Sequence, residues 1–213
     1  MPVITVSRQY ASGGSAIAAL VSERLAWPVI DNDFVDRVAQ RAGLSTQEVE
    51  SQEERVPSLM ERLAGALAIS SPEVFVSTGE GLDARLGNEE RMVRATEAVI
   101  TQATQEGNLI IVGRGAQAHL AERDDALHVF IVGPREHRIR AAMERLGMTE
   151  AQATEAVDRA DEGRRRYVKT YYDRHWEDAD NYHLVLNTGV FSCEQCADLI
   201  VTGVRLRGWA SHL

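Results

Sequence analysis

Short apolar runs rich in valine and isoleucine recur along this chain between longer stretches of helical periodicity, and this alternation constrains the fold most. The runs are VITVS at 3–7, WPVID at 27–31, NLIIVG at 108–113, ALHVFIV at 126–132 and YHLVLN at 182–187. Strands that are apolar almost throughout are buried on both faces, which is the condition of a parallel sheet whose crossovers are helices. Five such runs suffice for an α/β fold with a doubly wound parallel sheet. Helices are expected near 14–25, 33–42, 46–69, 88–106, 134–147, 149–172 and 193–208. Ser45 with Glu48, and Thr149 before an acid-rich turn, have the character of N-caps.

Two segments interrupt the alternation. About 75 residues separate the second and third runs, far more than one crossover needs, and an inserted helical subdomain is the natural reading. The second segment, DRADEGRRRYVKTYYDRHWEDADNY, is dense in charge and aromatic rings and leads into the fifth run, as a lid would. With 213 residues the chain fits one domain of ordinary size with such additions.

The net charge of −9 argues against a general nucleic-acid surface, which needs a basic face to displace counterions from phosphates. An anionic ligand must then be held by a local basic cluster and be small rather than polymeric. No run approaches 18 consecutive apolar residues, and the N-terminus lacks a signal-peptide layout, so a cytoplasmic protein without a membrane partner is expected. Cys193 and Cys196 form a C-x-x-C pair near the C-terminus. A redox motif of that kind usually opens the helix after an early strand, so the pair reads as two thiols on the last helix, and no further ligands with zinc spacing accompany it. The histidines, His128 and His175 among them, suggest neither a triad nor a metal site.

ITVSRQYASGGSAIAALVSERL, residues 4–25, runs from a strand through a Ser/Gly turn into a helix, which is how a phosphate-binding loop begins. Such a turn offers backbone N–H groups and a helix N-terminus to an anion. Ser15 stands where the hydroxyl of such loops helps to hold Mg2+, and Gly14 stands where their lysine belongs. Lys169 is the only lysine of the chain, yet a bias towards arginine would have left an arginine at 14, so the missing cation needs its own account. Arg8, inside the loop, is the nearest candidate.

Arg114 follows the third run directly, and in open α/β sheets ligands bind beyond the carboxyl ends of strands. The end of the second run carries Asp31, Asp33 and Arg37; the acids there could hold metal or ribose, or cap the next helix. In RADEGRRRYVK, the residues Arg159, Asp161, Arg164, Arg165, Arg166 and Lys169 concentrate positive charge in an otherwise acidic chain. Arginines at this spacing cannot share one helix face, so some are structural, while as a cluster they suit phosphate clamping.

Taken in order, these elements resemble the nucleoside monophosphate kinases, and most closely the cytidylate kinase-like group of P-loop NTPases, over nearly the whole chain. ITVSRQYASGGSAIA is similar to the variant loop of that group; VIDNDFVDRVA matches through Asp31 and Arg37, RMVRATEAV through Arg94 with Arg91 as the alternative, VGRGAQAHL through Gly113 and Arg114, and RADEGRRRY through its lid pattern. The resemblance implies a single P-loop kinase-like domain over 1–213, with a helical acceptor-binding insertion at about 38–88 and a lid at about 149–181. It further implies ATP with Mg2+ as phosphoryl donor and a nucleoside monophosphate, CMP or dCMP first, as acceptor. Ser12, Gly13, Gly14, Ser15 and Ala16 would wrap the donor phosphates, Ser15 also touching Mg2+, and Arg8 would replace the lysine. Arg37, Arg94 and Arg114, with Asp31 and Asp33, would hold the acceptor; Arg159, Asp161 and Arg164 would close the lid. Two departures stand out: Gly14 for the lysine, and Gly115 where cytidylate kinases place a base-reading aspartate. They leave open a different small acceptor, or a nucleotide-binding protein that has lost catalysis.

Overall fold

The computed structural model describes residues 1–31 and 88–210. Along the chain run β1 (Val3–Arg8), α1 (Gly14–Leu25), β2 (Val29–Ile30), α2 (Asn88–Glu106), β3 (Leu109–Val112), α3 (Ala116–His119), β4 (Ala126–Val132), α4 (Arg135–Leu146), α5 (Glu150–Tyr172), β5 (Leu184–Asn187) and α6 (Cys193–Leu206). The five strands form one parallel sheet in the order β2-β3-β1-β4-β5. β1 is central, Val3 lying in register with Leu109 on one side and Ala126 on the other.

Side chains alternate across a strand, so the two faces of this sheet are covered by different helices. Ile4, Val6, Ile110, Val112, Leu127, Val129 and Ile131 bury one face against Ile17 and Val21 of α1 and Ile200, Val201 and Val204 of α6. The fully buried isoleucines among them each contribute about 1.5–3 kcal/mol of transfer free energy. Phe130 faces the opposite way and packs with Val168 of α5, Trp176 and Tyr182. The Phe130 ring stacks on Tyr182 and meets the edge of Trp176, while Tyr182 Oη donates 2.7 Å to the Trp176 carbonyl. The chain after α5 is thereby tied to β4. A further cluster joins Ile139 and Ala142 of α4 to Ala153 and Val157 of α5, with Tyr10 and Ala11 against it.

The expected strands and the helices at 14–25, 88–106, 134–147, 149–172 and 193–208 are all present to within about two residues except β2, which is shorter. Pro28 supplies only a carbonyl there, which accepts from the Ile110 N–H at 2.9 Å. Thr149 caps α5 through a capping box with Gln152, and Ser192 caps α6 in the same way with Gln195. The expected helices at 33–42 and 46–69, the Ser45/Glu48 cap, Asp33, Arg37 and nearly all of the expected insertion lie outside the described residues.

By contacts the chain divides into two compact units, Met1–Val29 with Asn108–Leu213, and Ile30–Gly107. In the second, α2 buries Val93, Thr96, Val99, Ile100 and Ala103, a spacing of three and four residues along one helix face. No helix of the described residues is long and apolar enough to cross a membrane.

Candidate functional site

β1 ends at the centre of the sheet, and the chain then turns through Gln9–Gly13 into α1. Gly13 is the N-cap of α1 in the left-handed conformation (φ 87°), with no side-chain cap and no acid in the first turn. α5 and α6 each have a full capping box and a first-turn glutamate. The first N–H groups of α1 thus keep their donor capacity and their positive end of the helix dipole for an anion.

Gly14 is occupied from outside. A Cβ built there would stand 2.5 Å from Arg8 Cβ and 2.8 Å from Arg8 Cγ, so the Arg8 stem fills the space of the absent side chain. The same arginine continues across the sheet end to β3, where a Cβ on Gly113 would overlap its guanidinium. Two glycines therefore make the slot in which one arginine lies along the loop.

The loop is held from below and from one side. Ser12 is buried, and its hydroxyl donates to the carbonyls of Gln9 (2.8 Å) and Ile131 (3.2 Å). Gln9 Oε1 accepts from the Gly133 N–H at 3.0 Å. The Tyr10 N–H donates 2.8 Å to Asp161 Oδ1, and the Tyr10 carbonyl accepts from Arg138 Nη1 at 3.1 Å. Arg138 also reaches Asp161 Oδ2 at 2.6 Å, and Arg164 Nη1 reaches Asp161 Oδ1 at 2.7 Å. The Arg138–Asp161 pair is almost entirely buried, with side chains 7% and 3% exposed. Charge-assisted hydrogen bonds of this kind are shorter and stronger than neutral ones. They bind the loop backbone to α4 and α5 together.

Above the loop lies a cavity of about 390 Å3, walled by Arg8, Gly13–Ala16, Arg145 and Arg164, with Ala141 and Ala142 of α4 leaving room. Three arginine side chains, the α1 N-terminus and the exposed Ser15 face one space, an arrangement that suits a polyphosphate with a divalent cation.

The sequence-derived candidates distribute unevenly. Arg8, Gly13, Gly14, Ser15, Ala16 and Arg164 are brought together on this cavity. Ser12 turns inward and Asp161 is buried behind the loop, so both support the wall. Arg159 is exposed on α5 and stands 3.9 Å from Glu155, outside the cavity wall. Arg114 lies just past β3 with φ 55°, between Gly113 (φ 81°) and Gly115 (φ 66°). Left-handed backbone at a non-glycine residue costs about 1–2 kcal/mol, and Ala11 (φ 58°) in the loop carries the same strain. Among the described residues Ala26 and Asp173 share this backbone, and both are ordinary helix C-caps. Asp31 and Arg94 belong to the unit Ile30–Gly107 and are both exposed.

Arg138 and Arg145 were missed. Their signal was present, since they stand seven positions apart on a helix whose intervening Ala141 and Ala142 are small. Gly115 also gains a physical account: a Cβ there would stand 2.6 Å from Tyr172 Cε2 and 3.1 Å from Tyr167 Cε1. Two tyrosines of α5 fill the space that a side chain at this position would take. Among the described residues no group of acids, histidines and cysteines is arranged to hold a metal by itself.

A parallel sheet with helices on both faces, a glycine turn from its central strand into an uncapped helix, and arginines around that turn define a P-loop NTPase fold of the kinase type. The chain belongs to the cytidylate kinase-like family, which it matches over residues 3–190. Family and fold together support a P-loop kinase. Among solved structures it is similar to an uncharacterized protein from Eubacterium ventriosum, at 18% identity and a TM-score of 0.70, over 96% of this chain and 99% of that one. It is also similar to shikimate kinase from Acinetobacter baumannii, solved with shikimate, at 12% identity and a TM-score of 0.51, over 97% and 94% of the two chains. A curated relative, uronate isomerase of Corynebacterium glutamicum, is 30% identical over 132 residues, which are 59% of this chain. The chain spans only about a quarter (25%) of that relative's length.

Proposed function

We propose that this chain transfers the γ-phosphoryl group of ATP to a nucleoside monophosphate, CMP or dCMP being the first acceptors to test, in a cytoplasmic setting. The observation that carries the reading is the exchange between Arg8 and Gly14: the loop lysine is gone, and an arginine stem lies in the space it vacates. A guanidinium delivered from β1 then supplies the positive charge that the lysine brings to the transferring phosphate.

Gly13, Gly14, Ser15 and Ala16 would bind the donor phosphates through backbone N–H groups, and Mg2+ held through Ser15 would neutralise phosphate charge. Arg145 and Arg164 would close the wall from α4 and α5. Asp161 would orient Arg164 and the Tyr10 N–H, and Arg159 would enter as an outer lid residue. Arg114, with Arg37, Arg94, Asp31 and Asp33 as the resemblance implies, would hold the acceptor. Such a site works by positioning and charge stabilisation in a space closed to water, with no covalent intermediate on the enzyme.

A second reading, a different small phosphorylatable acceptor, is favoured by one observation: Tyr167 and Tyr172 cover Gly115, so that position offers no carboxylate to a base. The experiment that separates the readings measures ADP formation with each common nucleoside monophosphate in turn. Acceptor-dependent turnover that falls about 10²–10³-fold in Arg8→Ala, as loss of a charge-stabilising donor does, supports the first. Arg114→Ala should lower turnover far more than it weakens ATP binding. ATP binding without turnover on any nucleotide sends the search to other metabolites or to a binding-only role.

A further inference from the structure

Cys193 is the first residue of α6 and Cys196 lies one turn on, so the pair shares one helix face. Cys193 is half-buried and Cys196 fully buried. What the sequence could not reveal is the neighbour of the first thiol: a Cβ on Gly13 would stand 3.1 Å from Cys193 Sγ. The thiol therefore rests on the residue that turns the phosphate loop into α1. Side chains three apart on a helix have Cβ atoms about 5–6 Å apart, and a disulfide needs about 3.5–4.5 Å, so a bond between the two would draw the first turn of α6 inward.

We propose that Cys193 and Cys196 are a redox-active dithiol, oxidised by small disulfides of the glutathione class, whose bond formation withdraws Cys193 Sγ from Gly13 and loosens the phosphate loop. Cys193 is the reachable thiol and attacks first. Its thiolate displaces one thiol from the small disulfide and forms a mixed disulfide. Cys196 then loses its proton to solvent and attacks Cys193 Sγ, expelling the second thiol. Two protein thiols become one disulfide, and the two electrons and two protons leave on the small disulfide as two free thiols. Burial and the neighbouring Cys193 charge both push the Cys196 thiol up, which suits a group that resolves rather than initiates.

The test equilibrates the full chain with rising ratios of oxidised to reduced glutathione and reads intact mass. Loss of two hydrogens in the native chain is expected, and Cys196→Ala should instead trap glutathione on Cys193. Hydrogen exchange of the 13–16 amides should then rise several-fold in the disulfide form, with no rise in identically treated Cys193→Ser. The proposal is overturned if the native chain keeps both thiols at ratios that oxidise the urea-unfolded chain. It is equally overturned if the disulfide forms and exchange at 13–16 stays unchanged. Neither readout uses catalysis or nucleotide, so the outcome is independent of the kinase reading.

Discussion

Gly14 is the residue at which the chain departs most visibly from a phosphate loop, and its neighbour explains why the departure is tolerated. Restoring the lysine alone forces a Cβ to within 2.5 Å of Arg8 Cβ, an overlap of two backbone-anchored carbons that no rotamer relieves. Gly14→Lys should therefore destabilise the fold by about 1–3 kcal/mol, as overpacking does. Arg8→Gly, which removes the overlapping carbon, combined with Gly14→Lys should recover most of that loss relative to Arg8→Gly alone. Urea midpoints of the two single variants and the double variant measure the coupling; strictly additive effects would show that the two residues do not share the space. The glycine itself was readable in the sequence, and so was Arg8 as the nearest cation. That the two side chains exclude one another was not readable, because they lie six residues apart and meet only when the turn between them closes.

At the level of elements, α5 shows how one helix divides a charge cluster. Asp161 and Arg164, three residues apart, face the phosphate loop, whereas Arg165 pairs with Glu162 and Glu177 and Lys169 with Asp173. Helical periodicity alone required such a division, but which residues took the inner face depended on Arg138 of α4. Among the described residues Asp161 is the acid that hydrogen-bonds the buried Arg138 guanidinium, and it also accepts the Tyr10 N–H. Asp161→Ala leaves that guanidinium buried without its counter-charge and should cost about 3–5 kcal/mol. At about 2–4 °C per kcal/mol for a chain of this size, calorimetry should record a fall in Tm of roughly 6–20 °C. Arg159→Ala, on the exposed face, should shift Tm by no more than about 4 °C, since exposed pairs contribute about 0–1 kcal/mol. A small change in Asp161→Ala would mean that the loop is held by something other than this pair.

Across the whole molecule, the strand pairs carry a pH dependence unrelated to the phosphate cavity. His128 lies opposite Thr5 in the β1–β4 register; its Nδ1 is 2.7 Å from the Thr5 hydroxyl, and its backbone N–H donates 3.0 Å to His183 Nδ1. The two imidazoles stack with centroids 5.0 Å apart. Burial, then the neighbouring His183 charge, pushes the His128 pKa from 6.5 down to about 4. An unfolded histidine takes up a proton that the folded chain refuses, so stability is complete above pH 6.5 and declines as the pH falls towards 4. The loss reaches about 3 kcal/mol at 1.36 kcal/mol per unit. Urea midpoints at pH 7.5 and 5 should show the decline, and His128→Gln should flatten it; an equal slope in both would assign the effect elsewhere. At this scale the sequence by itself determined the positions of the described strands and helices, the parallel sheet and the location of the phosphate loop, because hydrophobic period, capping residues and turn glycines act over a few neighbouring positions. Only the tertiary structure decided that Arg8 fills Gly14, that two tyrosines cover Gly115, that Arg138 and Arg145 belong with the loop, and that Cys193 touches Gly13. Each of these joins elements far apart in the chain or side chains across a turn, and close packing of such groups is settled by excluded volume and buried charge that no local pattern encodes.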